Sequence, residues 1–172
     1  MKTKLTILAF MALTGAVLAA PQTFDFKDPK AINNAGFKLD APLEAINGSA
    51  SGISGTVTFD PENPGAAKGK IIVATASLML PNPMQKQHML SDKWLDAAKF
   101  PEISFESKEF KNVRTAGDTT TADATGTFTL KGVSKEITVP VKLTYLKDKL
   151  GERVPNQKGD LLVIRANFTI SR

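Results

Sequence analysis

The sequence predicts an all-β protein, an antiparallel barrel or sandwich that carries one short helical insertion. Three observations predict it. Residues 136–145 alternate strictly, placing Ile137, Val139, Val141, Leu143 and Tyr145 on one face, which is the two-residue period of a half-buried strand. Several other short segments repeat that rhythm and are separated by turn-forming glycine, proline, asparagine and aspartate, the spacing of a closed or packed antiparallel sheet. Residues 83–98 alone abandon the rhythm and read as helical.

In chain order, the first element is an export signal. Met1-Lys2-Thr3-Lys4 is basic, the run from Leu5 to Leu18 is almost wholly apolar, and Val17-Leu18-Ala19 ends it with small side chains, the three parts of a cleavable signal peptide. Cleavage is expected after Ala19, since one residue later Pro21 would follow the scissile bond and fit an extended protease site poorly. An apolar run of about 14 residues is short of the ~20 that span a bilayer. Residues 20–172 are then expected to form a single domain, with no integral membrane segment. The chain has no cysteine, so stability outside the cytoplasm must come from packing and not from disulfides.

Strands are expected at 23–27, 34–39, 44–49, 55–60 and 69–78, with turns at Asn47-Gly48 and 60–65. In the insertion, Pro83 suits a first helical turn, and Met84, His88, Met89 and Leu95 form a one-sided stripe. Ser91 or Asp92 is placed to cap a second helical piece before Phe100-Pro101 restores an extended chain. A strand follows at 103–107. Ala116-Gly117-Asp118 makes a turn, and Thr119-Thr120-Thr121 reads as a solvated turn or strand start. Residues 126–130 and 136–145 form a hairpin linked through Lys131-Gly132-Val133-Ser134. Pro140 lies on the face opposite the apolar one and has no N–H for a ladder, so an edge or a bulge is expected there. The last strand is expected over 162–170, with Leu162, Ile164, Ala166, Phe168 and Ile170 on one face.

The composition narrows the chemistry. The formal charge is +5 and becomes +3 once Lys2 and Lys4 leave with the signal, too mild and too scattered for nucleic acid. With no cysteine and a single histidine, neither a thiolate nucleophile nor a multi-histidine zinc site can be built. Phosphate-cradling glycine loops and aspartate-rich metal loops are absent, so no cofactor and no metal are expected. His88 lacks the Gly-x-Ser-x-Gly turn that would accompany a hydrolase triad, and the protein is read as a non-enzyme. Phe59, Phe105, Phe128 and Phe168 occupy apolar strand faces, where a sandwich would use them as core and a barrel as walls of a channel. Met84, His88, Met89, Leu90 and Trp94 form either an adaptable rim around a ligand or the buried side of the helix. Pattern alone leaves both pairs of alternatives open.

Two long stretches add a resemblance. His88-Met89-Leu90-Ser91-Asp92-Lys93-Trp94-Leu95-Asp96 runs on into Phe100-Pro101-Glu102-Ile103-Ser104-Phe105-Glu106-Ser107, and Gly126-Thr127-Phe128-Thr129-Leu130-Lys131-Gly132-Val133-Ser134-Lys135 follows. Together with Ser54-Gly55-Thr56-Val57-Thr58-Phe59-Asp60, they resemble the YceI family. That resemblance implies a lipocalin-like antiparallel β-barrel of about eight strands with the helical segment near its mouth. It also implies a periplasmic protein, secreted where the host has no periplasm, that binds a polyisoprenoid or similar long amphiphilic lipid. On this reading Phe59, Phe105, Phe128, Ile137, Val139, Val141 and Leu143 are the cavity walls, and His88, Met89 and Trp94 guard the entrance. Two departures stand out. Gln85-Lys86-Gln87-His88 occupies the place of an Arg-Asp-x-His motif, with only the histidine matching. The family also usually continues past Arg172 through an Asp-Phe-Gly motif and a last strand, so the expectation is either a barrel without that final strand or one that closes differently. The rival readings are a filled β-domain acting as a stress or partner-binding protein, and an enzyme using His88. The oligomeric state is left open, a homodimer among the options.

Overall fold

The computed structural model describes residues 20–28 and 30–171. The reading of residues 1–19 as a signal peptide lies outside the described residues. The chain forms β1 (Gln22–Asp25), β2 (Ala35–Ala41), β3 (Glu44–Ala50), β4 (Ile53–Phe59), β5 (Lys68–Ala74), β6 (Leu78–Met79), α1 (Pro83–Leu90), β7 (Glu102–Ala116), β8 (Thr119–Leu130), β9 (Val133–Leu146), α2 (Leu150–Arg153) and β10 (Leu161–Ala166). A seven-stranded sheet runs β1-β4-β5-β7-β8-β9-β10, a three-stranded sheet runs β2-β3-β6, and every pairing is antiparallel. The two sheets are joined by corners. β3 passes into β4 through Ser51-Gly52, and β5 passes into β6 through a 3₁₀ turn at Thr75–Ser77. Counting each bent pair as one strand, the ten segments make an eight-stranded, nearly closed barrel, as expected.

The two corners are packed together, which is why Gly52 stands where it does. A Cβ at Gly52 would lie 2.8 Å from the Ser77 Cβ and 2.9 Å from the Ala74 Cβ, closer than carbon atoms approach without displacement. The Ala74 amide donates to the Gly52 carbonyl at 2.8 Å. Thr75, only 2 % exposed, donates from its hydroxyl to the Phe100 carbonyl at 2.8 Å. The bend is thereby tied to the segment that follows α1.

β1 and β10, the ends of the larger sheet, share no ladder, and side chains knit the seam between them. The Tyr145 hydroxyl donates to Asp160 Oδ2 at 2.6 Å, Gln22 Nε2 donates to the same oxygen at 2.8 Å, and the Asp148 amide donates to Oδ1 at 2.8 Å. The hydrogen bond from Tyr145, then that from the Asp148 amide, hold the Asp160 carboxyl below the usual carboxylate range. Burial, reinforced by the bond to Asp160, pushes the Tyr145 phenol up to about 12. The α2 segment straps the same seam, with Arg153 Nη2 donating to Asn33 Oδ1 at 2.7 Å and standing 3.8 Å from Asp28.

A pH dependence follows from this cluster. Asp160 is depressed in the folded state, so its contribution is present above the unfolded value of ~3.9 and is lost as pH falls through the folded pKa. Tyr145 is raised, so its contribution is present below ~10 and is lost as pH climbs through about 12. Asp160→Asn is expected to lower stability at pH 7 by about 1 kcal/mol, allowing for solvent screening. The gap from wild type should narrow progressively in urea titrations as pH falls below ~4; a gap that stays constant from pH 7 into that acid range would assign the effect to something other than the ionised carboxylate.

Several elements differ from the sequence expectations. The strand expected at 103–107 extends from Glu102 to Ala116, with register irregularities at Ser107/Glu109 and Lys111/Arg114, and Thr119 opens β8. The helical insertion is a single helix. Ser91 ends α1, its amide and hydroxyl both donating to the His88 carbonyl, and Asp96 adopts a left-handed φ of 50°, so residues 91–99 are turns and no second helix forms. β10 stops at Ala166, paired with Val141. The next residue of β9 is Pro140, which cannot donate to a ladder, and residues 167–171 leave the sheet.

Candidate functional site: a deep apolar cavity

The alternation of β9 turns Val139, Val141 and Leu143 inward, and the ladders carry that face around the barrel. Ile71 of β5 pairs with Phe105 of β7, which pairs with Phe128 of β8. Ala124 pairs with Val139 and Ala122 with Val141. Val141 and Leu143 in turn face Ala166 and Ile164 of β10. On β8 the inward row runs through Ala122, Ala124 and Gly126, and these small residues cannot reach the axis. Space therefore remains between the walls.

That space is a cavity of about 2990 Å³, well beyond the roughly 300–1,000 Å³ of an ordinary small-molecule pocket. One end is plugged. Val57, Phe59, Ala67, Leu143 and Leu162 are buried against one another, with Phe24, Phe110 and Tyr145 packed around them. The Tyr145 ring lies 6.0 Å from that of Phe59 and meets Phe24 edge-on at 6.4 Å. The other end opens beside α1, the turns that follow it and the β8–β9 hairpin tip. At that tip Lys131 and Gly132 both have positive φ, 49° and 72°, as a two-residue hairpin turn requires. Gly132 lies against the Phe100 ring, which a Cβ would meet at 2.5 Å.

Of the residues singled out from the sequence, Phe105, Phe128, Val139, Val141 and Leu143 line the walls and floor, and His88, Met89 and Trp94 line the mouth. Two expected wall residues do not line the cavity. Phe59, 2 % exposed, is the centre of the plug, because its end of β4 lies where the aromatic side chains converge. Ile137 is half-buried opposite Gly126 and lies outside the lining. The cavity stands against a core filled along its whole length, and the largest packed cluster gathers around Phe59.

Sequence reasoning missed Ile71 and Val73 of β5, and Phe37 and Leu39 of β2, all of which line the cavity. Ile71-Ile72-Val73 is an unbroken apolar run that does not reveal which face is inward. Phe37-Lys38-Leu39-Asp40 alternates, and that signal was there to be read. Phe168 also lines the cavity, but from beyond β10. Its ring meets Phe128 edge-on at 5.9 Å.

The lining is mainly apolar, although polar and charged residues such as Asn33, Lys38, Ser107, Arg153 and Asp160 also border the cavity. Among the described residues no buried side-chain nitrogen or oxygen lacks a hydrogen-bond partner, so no orphaned polar group marks a headgroup position. Among the same residues no cluster of three or more metal-ligating side chains occurs. His88 is exposed on α1, and its ring has no hydrogen bond to a serine or aspartate side chain among the described residues. The site can bury apolar surface, and its polar border residues come from the barrel's ends and seam.

This chain is similar to several known proteins. YceI proteins of Salmonella newport and Salmonella arizonae are each 32 % identical over 139 residues, covering 80 % of this chain and 69 % of theirs. Among solved structures, the Campylobacter jejuni YceI protein superposes with a TM-score of 0.50 at 19 % identity, covering 84 % of this chain and 98 % of its own. BcnA of Burkholderia cenocepacia superposes with a TM-score of 0.50 at 22 % identity, covering 66 % of this chain and 75 % of its own. The structural likenesses speak for the fold. The pattern of the YceI-like domain matches residues 23–172, from β1 to beyond β10, so the plugged barrel and its cavity lie within the matched region, and this chain belongs to the YceI-like family.

Proposed function

We propose that this protein holds the apolar tail of a long isoprenoid, or of a similar amphiphilic lipid, inside its barrel as a periplasmic carrier or sequestering protein. The observation that carries the reading is the 2990 Å³ cavity, with the Phe59 cluster packed at one end and His88, Met89 and Trp94 bordering it at the other. From the level of Leu130 to that of Ala122, β8 rises roughly 26 Å, about 20 Å along the axis of a barrel with tilted strands. An extended tail inserted to that depth would lose on the order of 400 Å² of apolar surface to solvent. At ~25 cal/mol per Å² this contributes roughly 10 kcal/mol before ordering costs, enough for useful affinity without a charged contact. The export signal read at residues 1–19 supports the periplasmic part of the proposal.

The test is native mass spectrometry of the mature protein purified from a membrane-containing extract. Copurified lipid is expected, and added prenyl compounds should be taken up at one per barrel. A bare protein that also refuses added prenyl compounds would overturn the proposal.

A further inference from the structure

The mouth of the cavity has a surface chemistry of its own. Of the large apolar side chains that the described residues leave exposed, Leu43, Met79, Met84, Trp94 and Val133 lie at this end of the barrel, at 100, 48, 68, 45 and 61 % exposure. Contacts place them together. Gln85 of α1 hydrogen-bonds Glu44, next to Leu43 at the β2–β3 turn. Lys86 Nζ stands 3.0 Å from the Met79 sulfur. Lys131 Nζ donates to the Asp92 carbonyl at 3.3 Å, which brings the tip bearing Val133 against the segment bearing Trp94. A ring of this kind on a water-soluble domain marks an interaction surface.

Charge decides what it meets. Residues 82–101 and 131–135 contain Lys86, Lys93, Lys99, Lys131 and Lys135 against Asp92 and Asp96, a net of +3. Glu44 beside Leu43 brings the rim to a net of +2, while the rest of residues 20–172 carries 15 basic and 14 acidic side chains, so most of the excess positive charge sits at this end. None of the five lysines is in an ion pair among the described residues. Basic side chains interleaved with a tryptophan, methionines and aliphatic residues suit a surface that is anionic outside and hydrocarbon beneath.

We infer that this rim docks on an anionic phospholipid bilayer, seating Leu43, Met84, Trp94 and Val133 among the headgroups and presenting the open mouth to the lipid. The docking takes its purpose from the lipid-cavity reading, but its test is separate. The mature protein is cosedimented with vesicles of phosphatidylcholine alone and with vesicles containing one quarter phosphatidylglycerol, and the emission of Trp94, the single tryptophan, is followed. Binding and a blue shift are expected with the anionic vesicles only, and both should collapse in 0.5 M salt. Lys93→Glu combined with Lys135→Glu alters two exposed side chains outside the cavity lining. It is expected to weaken vesicle binding by about 30-fold or more, at roughly fivefold for each lysine lost, while uptake of a dansyl-farnesyl probe from solution stays at the wild-type level. Equal binding to both vesicle types, or a double variant that binds as wild type does, would overturn the docking surface; an acidic protein partner would give the same failure. Vesicle binding without probe uptake would uphold the surface and defeat the cavity reading instead.

Discussion

Val73→Trp combined with Val141→Trp is expected to abolish uptake of a prenyl probe while leaving the barrel folded. Both valines line the cavity, on strands separated in the sheet by β7 and β8, so the two indoles obstruct the bore from different walls. Val141 lies between Ala122 of β8 and Ala166 of β10 in the ladders, and small neighbours on both sides leave an indole room to lie along the wall. Overpacking a filled core costs about 1–3 kcal/mol; here the added volume enters open space, and the melting temperature should move by only a few degrees. If each indole denies the tail roughly 100 Å² of apolar contact, affinity should fall by ~2.5 kcal/mol, nearly a hundredfold per substitution. Val141→Ala, which widens the bore, should preserve uptake. Fluorescence titration with a dansyl-farnesyl probe reads all three proteins, and undiminished uptake by the double variant would place the ligand somewhere other than the barrel interior.

Phe59→Ala should do the reverse, costing stability and sparing the ligand. Phe59 is among the largest fully buried side chains described, at 2 % exposure, and it centres the cluster that closes the barrel. Removing a ring from such a site costs about 3–5 kcal/mol, a large share of the ~5–15 kcal/mol that holds a domain together. The urea midpoint should fall by roughly 2 M for a typical slope of about 2 kcal/mol per M. Because Phe59 does not line the cavity, uptake by the protein that remains folded in the cold should stay within a few-fold of wild type. A loss below 1 kcal/mol would mean that this end is not close-packed. A large loss of uptake at full stability would move the plug into the binding site.

These opposite expectations for residues that the pattern treats alike show where the legibility of the sequence ends. Phe59, Val139 and Val141 all sit at inward positions of alternating strands, and the two-residue period is enough to put them on the inner face. That period also locates β9, the β8–β9 hairpin and the all-β antiparallel class, because each depends on neighbours a few residues apart. Pro140 shows local chemistry reaching further. Its missing N–H lies next to the last β9–β10 pair, Val141 with Ala166, although the expected strand through Ile170 overlooked that consequence.

What period and propensity alone determined is therefore the all-β class, the inner face of several strands and the existence of one helical insertion; the barrel and the helix's place at its mouth came from the family resemblance. Only the tertiary structure decided which inward side chains meet and which face open space, since that turns on distances across the barrel between residues far apart in the chain. Phe59 meets Tyr145 and fills its end; Val141, flanked by Ala122 and Ala166, has only small side chains beside it and borders the cavity. The same reason hides the rim, because Leu43, Met84, Trp94 and Val133 come from three separate segments, and their gathering at one end is a property of the closed sheet and not of any stretch of sequence.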